Sequence, residues 1–200
     1  MKGDADEALR VGQRSLETDE SLTMLRIFAL SQKGQLADRL FEYAVSGTAN
    51  DMLPFKGSKA TLLLMPDSLL WQHLGARPDS IGSIAQYLDS LERDTLAGMA
   101  WRDYRLVGQL IDRRLDAFAA ALPRYYVMQA DSLPRHYREA LVLYQQTVDT
   151  LLMYSDTLML SRWRDFHAND TIFPKPSERQ IRTEEQFRDT YWYYFFSPHL

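Results

Sequence analysis

The feature that most limits what this chain can become is the spacing of apolar residues in its opening stretch, Lys2–Tyr43. Ala5, Ala8, Leu9, Gly12 and Leu16 fall on one face of a 3.6-residue period, the signature of an amphipathic helix. Gly3, just before them, permits a tight turn. Leu22, Met24, Leu25, Ile27, Phe28, Ala29 and Leu30 are apolar almost all the way round, which predicts a helix over 22–33 packed on more than one side. Lys33-Gly34-Gln35 reads as a turn, and Leu36, Ala37, Leu40, Phe41 and Ala44 as the stripe of a following helix.

The order Gly3, Ala8 and then a small residue with Leu16 resembles the second helix of a tetratricopeptide repeat, in which small residues let two helices approach closely. The next unit matches more loosely, because Arg39 stands where the repeat has a small residue. The resemblance implies an all-α, tetratricopeptide-like hairpin array, an α-α superhelix with irregular later helices. The first helix would then be half of a repeat whose other half is absent, so the chain is expected to be cut from a longer protein. The same face also suits an ordinary N-terminal helix of a bundle.

The remainder reads as one helical domain over 1–200, with repeat-like hairpins in 1–44, a loop in 45–60 and further helices in 61–200. The loop carries Ser46-Gly47-Thr48-Ala49-Asn50-Asp51 and Pro54; a loop that long is more often functional or mobile than neutral, and here it reads as a surface excursion between helical subunits, with part of a binding surface as the alternative. Thr61–Met65 suits a short strand or a buried turn. A short helix carrying Leu69, Leu70, Trp71 and Leu74 should end at Gly75. Asp79-Ser80 offers a cap for a stripe over Ile81–Arg93, and Thr95 one for a helix with Trp101, Tyr104, Val107 and Ile111 inward. Leu115, Phe118, Ala119 and Leu122 form another stripe, ended by Pro123. Asp131-Ser132 and Pro134 start a helix with Tyr137, Ala140, Leu141, Tyr144 and Val148 inside. Asp156–His167 should bury Leu158, Trp163 and Phe166, and Ala168–Ser177 should be a polar loop. A last helix from Ser177 would bury Ile181, Phe187, Tyr191 and Tyr194. Its run Tyr191-Trp192-Tyr193-Tyr194-Phe195-Phe196 either docks on the bundle or turns Trp192, Tyr193 and Phe196 outward as a partner surface. The whole should hold about seven to ten helices.

Function classes narrow by exclusion. Net charge is −4 with no basic run, which argues against nucleic-acid binding. The chain has no cysteine, hence no disulfide, thiolate ligand or cysteine nucleophile. The longest apolar run, Leu62–Met65, is far too short to cross a bilayer core of about 30 Å, so these residues are expected to form a soluble domain. No phosphate loop, His-Glu-x-x-His pair or nucleophile elbow occurs, and His73, His136, His167 and His199 have no metal-ligand spacing. Glu92, Asp94 and Asp103 lie close enough in sequence for an acid–base cluster, but beside Arg93 and Arg102 they suit solvated ion pairs better. No catalytic residue, metal or cofactor is expected.

Several strings taken together resemble another family: Phe41-Glu42-Tyr43 with Gly47-Thr48 and Asn50-Asp51, His73-Leu74-Gly75-Ala76, Leu91-Glu92-Arg93-Asp94, Leu133 to Leu141, and Phe187 to Tyr194. They are similar to the C-terminal soluble region of a family of bacterial membrane proteins, a domain of unknown function. That resemblance implies attachment to the membrane through a preceding segment, on a side it does not specify; a cytoplasmic protein is the alternative. The expected function is protein–protein interaction or scaffolding, with an extended or helical peptide held in a groove by Trp101, Arg102, Arg105, Arg135 and Tyr137. The alternative is an enzyme or accessory domain binding a small polar ligand such as a glycan near Asn50-Asp51 and Arg135-His136.

Overall fold

A computed structural model of the chain describes residues 9–10, 18–54, 67–75, 77, 83–94, 97–148 and 154–197. Among these residues the fold is all-helical, with ten α-helices joined by short turns and 3-10 segments. The Thr61–Met65 reading, the caps at Asp79-Ser80 and Thr95, His199 and most of the first predicted helix lie outside them; Leu9 is described and buried. The chain divides into two compact units, Met1–Leu36 with Tyr43–Arg114, and Ala37–Glu42 with Leu115–Leu200.

In the first unit α1 (Glu20–Gln32) starts where the Asp19 side chain accepts from the Leu22 N–H. It buries residues all round, as its composition requires: Met24, Ile27, Phe28 and Leu30, and also Arg26. Arg26 donates to Thr18 Oγ1 at 3.3 Å and the Ala44 carbonyl at 3.2 Å, and its guanidinium lies 5.2 Å from the Tyr43 ring centre. Burial pulls its pKa down.

The predicted loop is not a surface excursion where it is described. Thr48 and Asp51 close a capping box around the 3-10 turn Ala49–Asp51, and Met52, Leu53 and Pro54 are buried. The Ala49 N–H also donates to Asp112 Oδ1 at 2.8 Å. Gly108 makes this approach possible, since a Cβ there would stand 3.2 Å from Met52 Sδ and 3.3 Å from Ala49 Cβ. Helix α3 (Asp67–Leu74) buries Leu70, Trp71 and Leu74 and leaves Leu69 partly exposed. It ends at Gly75, whose φ of +116° and near-contact with Ala97 admit no side chain.

Helix α4 begins later than its stripe implied, at Ile84 rather than Ile81, because Ser83 and Gln86 form the capping box. It runs to Arg93 and packs on α5 (Ala100–Ile111), which buries Trp101, Tyr104, Val107 and Ile111 as predicted.

The second unit receives the end of α2 (Leu36–Arg39) and the 3-10 turn Leu40–Glu42. The long second helix expected over 36–44 therefore stops at Arg39, so that Phe41 can enter the aromatic interior of this unit. Helix α6 (Leu115–Ala121) gives way at Pro123 to the 3-10 turn Leu122–Arg124. Helix α7 (Arg135–Thr147) is the central element, contacted by α6, by α8 (Thr157–Ile172) and by α10 (Tyr191–Phe196). Helix α9 (Pro176–Phe187) packs on α8 and α10.

Four expectations need correcting here. Val148, expected inside α7, is 37% exposed, because the helix ends at Thr147 and Val148 is already extended. The polar loop over 168–177 does not exist: α8 continues to Ile172, and the chain needs only 173–175 before proline opens α9. Leu158 is 65% exposed, because Asp156 caps the helix through the Met159 N–H and it is Met159 that turns inward. Ile181 is 57% exposed, since α9 is strongly polar and packs through Phe187.

Candidate functional site

A dense collection of polar groups lies on the first two turns of α7, within the second unit. Pro134 precedes the helix and Asp38 Oδ1 accepts from the Arg135 N–H at 2.7 Å, which satisfies one of the free donors of the helix start. The order Arg135-His136-Tyr137-Arg138-Glu139 then places His136 and Glu139 three residues apart on one face, and Arg135 one turn before Glu139.

Glu139 is fully buried. One carboxylate oxygen, Oε2, accepts from His136 Nδ1 at 2.8 Å and from the Tyr191 backbone N–H at 2.8 Å. The other, Oε1, accepts from Arg135 Nε at 2.9 Å. The Glu139 carbonyl takes the Trp192 indole N–H at 2.7 Å. His136 is buried as well, and its Nε2 lies 3.3 Å from the Phe41 backbone N–H. A backbone N–H can only donate, so Nε2 must be the acceptor; the ring proton is then on Nδ1, where it donates to Glu139. One histidine and one glutamate thus join the 37–42 segment, α7 and α10.

Arg135 extends the network outward. It donates to Asp189 Oδ2 at 2.9 Å and stands 4.0 Å from Glu42. Burial works against its charge, but Glu139 and Asp189 outweigh burial and raise its pKa. One turn along, Arg138 Nε donates to Asp156 Oδ2 at 2.7 Å, and the Tyr154 hydroxyl donates to the same oxygen at 3.0 Å. Burial alone would raise the Asp156 pKa; the bonds from Arg138, the Met159 N–H and Tyr154 more than compensate and hold it below the usual carboxylate range. The Tyr154 phenol is pushed up by burial and by Asp156.

This is a saturated arrangement. Each carboxylate oxygen of Glu139 and each ring nitrogen of His136 is already engaged by protein, so its chemistry is to hold three elements in register.

The sequence candidates separate by unit. Trp101, Arg102 and Arg105 belong to the first and Arg135 and Tyr137 to the second. Trp101 and Tyr137 are core side chains, and Tyr137 packs against Phe118 and Tyr126. The Arg102 guanidinium lies 5.8 Å from the Trp101 ring centre. Arg105 pairs with Asp89 at 2.7 Å and Glu92 at 3.0 Å, which ties up part of the acidic run. Asn50-Asp51 is in the first unit, where Asp51 serves the Thr48 cap, and His136 is in the second, fully buried. His73 sits 2.8 Å from Ser31 Oγ and edge-on to Phe28, and burial lowers its pKa.

The second unit also carries an aromatic cluster of Trp163, Phe166, Phe187 and Trp192, with His167 and Phe196 at its edge. Trp192 is fully buried, Tyr193 half-buried and Phe196 49% exposed, so the aromatic run of α10 both docks and faces outward.

A protein-family profile described as a family of unknown function (DUF6057) matches residues 77–197, more than half of the chain. The chain belongs to this family. The DUF6057 match takes in α7, α10 and the aromatic cluster, but it leaves out the 37–42 segment that completes the buried network. No curated protein and no solved structure matches the chain. No helix among the described residues is long and apolar enough to cross a membrane.

Proposed function

We propose that this DUF6057 chain is a protein-interaction or scaffolding domain, and that its partner contact is the outward edge of α10 rather than the groove residues Trp101 and Tyr137. The observation that carries this reading is Phe196: a large aromatic ring, half exposed, backed by Trp163, Phe166 and His167 at 5.9–6.2 Å. Held aromatic rings lose little entropy on binding and dominate interface energies. Tyr193, half-buried on the same short helix, extends the edge.

Arg135, half-buried in the same unit, is a secondary contact in this reading, and Arg102 and Arg105, half-buried in the first unit, would form a separate one. A tetratricopeptide-like array is the proposed architecture, supported by sequence-adjacent helices packing in pairs: α4 with α5, α7 with α8, α8 with α9. The resemblance of the sequence to a bacterial membrane-protein family supports a further part of the proposal, that the domain is tethered to a larger membrane-associated protein.

The test is site-specific photo-crosslinking in the native cell. A photoreactive residue at position 196 should give a discrete protein adduct that one at the exposed Gln146 does not, and Tyr193→Ser should weaken it. Identical adduct patterns at 196 and 146 would remove the α10 edge as the contact.

A further inference from the structure

The segment Ala37–Glu42 belongs to the second unit, whereas its flanks, Leu36 and Tyr43, belong to the first. The contacts that tie it to the second unit come from residues after 114. Asp38 caps α7 through the Arg135 N–H at 2.7 Å, and the Phe41 N–H is held by His136 Nε2 at 3.3 Å. The Phe41 ring sits among His136 at 5.1 Å, Tyr191 at 4.9 Å and Tyr194 at 4.8 Å, and Glu42 lies 4.0 Å from Arg135. These contacts are indifferent to which molecule supplies the strap.

The other crossing between the units is the turn Asp112-Arg113-Arg114. It is a Schellman closure: the Arg114 N–H donates to the Gln109 carbonyl at 2.8 Å and the Arg113 N–H to that of Leu110 at 3.0 Å. The left-handed position of such a closure normally falls to glycine, and here it falls to Arg113 at φ 56°. Helices end and begin on either side of the turn, at Ile111 and Leu115. Straightening it into continuous helix relieves Arg113.

We propose that the seat of Ala37–Glu42 also accepts the same segment from a second copy of the chain, so that the protein forms a strap-exchanged dimer through opening of the 112–114 turn. In the exchanged form residues 115–200 of each copy fold around Asp38 and Phe41 of the other, with every bond of the seat retained. The cost is loss of the turn, and the strain at Arg113 offsets part of it.

The experiment uses the full chain. A photoreactive residue at position 42 is placed in unlabelled protein, which is mixed with nitrogen-15 protein, unfolded, refolded together and irradiated. Adducts between the 37–42 peptide and the α7 peptide are then sorted by isotope. Exchange predicts light–heavy adducts, a dimer in light scattering whose fraction rises with protein concentration, and a fall of about tenfold in the association constant for Arg113→Gly, because glycine relaxes both closed turns. Adducts confined to one isotope, with a monomer at every concentration, would overturn the proposal. So would a dimer whose 37–42 adducts stay within one isotope, because it would have assembled through another surface.

Discussion

Replacing Glu139 is the perturbation with the most calculable outcome. Its carboxylate accepts three N–H groups: Tyr191 at 2.8 Å, His136 at 2.8 Å and Arg135 at 2.9 Å. Glutamine is nearly isosteric but has one carbonyl oxygen. Its best placement keeps that oxygen on the two buried donors, His136 and Tyr191, and sets its NH2 against Arg135. Arg135 is a quarter exposed and retains Asp189, so this mismatch should cost about 2–3 kcal/mol. Alanine leaves the two buried donors unpaired at about 1–3 kcal/mol each, and adds a small cavity, for about 4–6 kcal/mol in total. That is a large part of the ~5–15 kcal/mol that holds a typical domain folded. Urea unfolding gives the totals. Hydrogen exchange at the Tyr191 and Phe41 amides gives the local reading, since one is bonded to Glu139 directly and the other through His136. Glu139→Gln should lower protection at both. A loss under about 1 kcal/mol, or an alanine variant no worse than glutamine, would show that the buried network does not hold the unit together.

Other outcomes follow from the same geometry. The Tyr104 hydroxyl is fully buried with no hydrogen-bond partner among the described residues, so Tyr104→Phe should be neutral or stabilising by up to about 1 kcal/mol in a denaturant titration. A Cβ at Gly75 would stand 2.7 Å from Ala97 Cα at a φ of +116°, so Gly75→Ala should cost about 3 kcal/mol, read as a lower melting temperature. The pKa of Asp156 is lowered in the folded state, so its contribution is complete above the unfolded value of about 4 and is lost as pH falls below that and through the lower folded value; Asp156→Asn should cost about 2 kcal/mol at neutral pH and flatten that acid limb of the stability curve. Nitrogen-15 spectra should find the His136 ring proton on Nδ1, and a proton on Nε2 would contradict the Phe41 bond.

Helix identity was legible from the sequence because an apolar period of 3.6 is a local property. Ile84, Leu88 and Leu91 on α4, and Trp101, Tyr104, Val107 and Ile111 on α5, are buried where their spacing places them. Proline and glycine marked ends equally locally, at Gly75 and Pro123. The polar network was half legible: Arg135 and His136 stood out as recognition candidates, yet Glu139 passed unnoticed, although two polar residues three apart inside a buried stripe are a signal that a buried pair is being made. What no local pattern carries is which segments meet. The Leu36–Ala44 stripe reads as a continuing helix, and it stops at Arg39 because His136, Tyr191 and Tyr194, about a hundred residues or more away in sequence, offer Phe41 a better seat. In α10 the same logic separates six consecutive aromatics into a buried Trp192 and a half-exposed Phe196. The sequence by itself determined that this chain is helical and roughly where each helix turns its apolar face. Tertiary structure decided which of those faces close on one another, because the energy of burying a ring or pairing a carboxylate depends on partners that only the folded chain brings within a few ångströms.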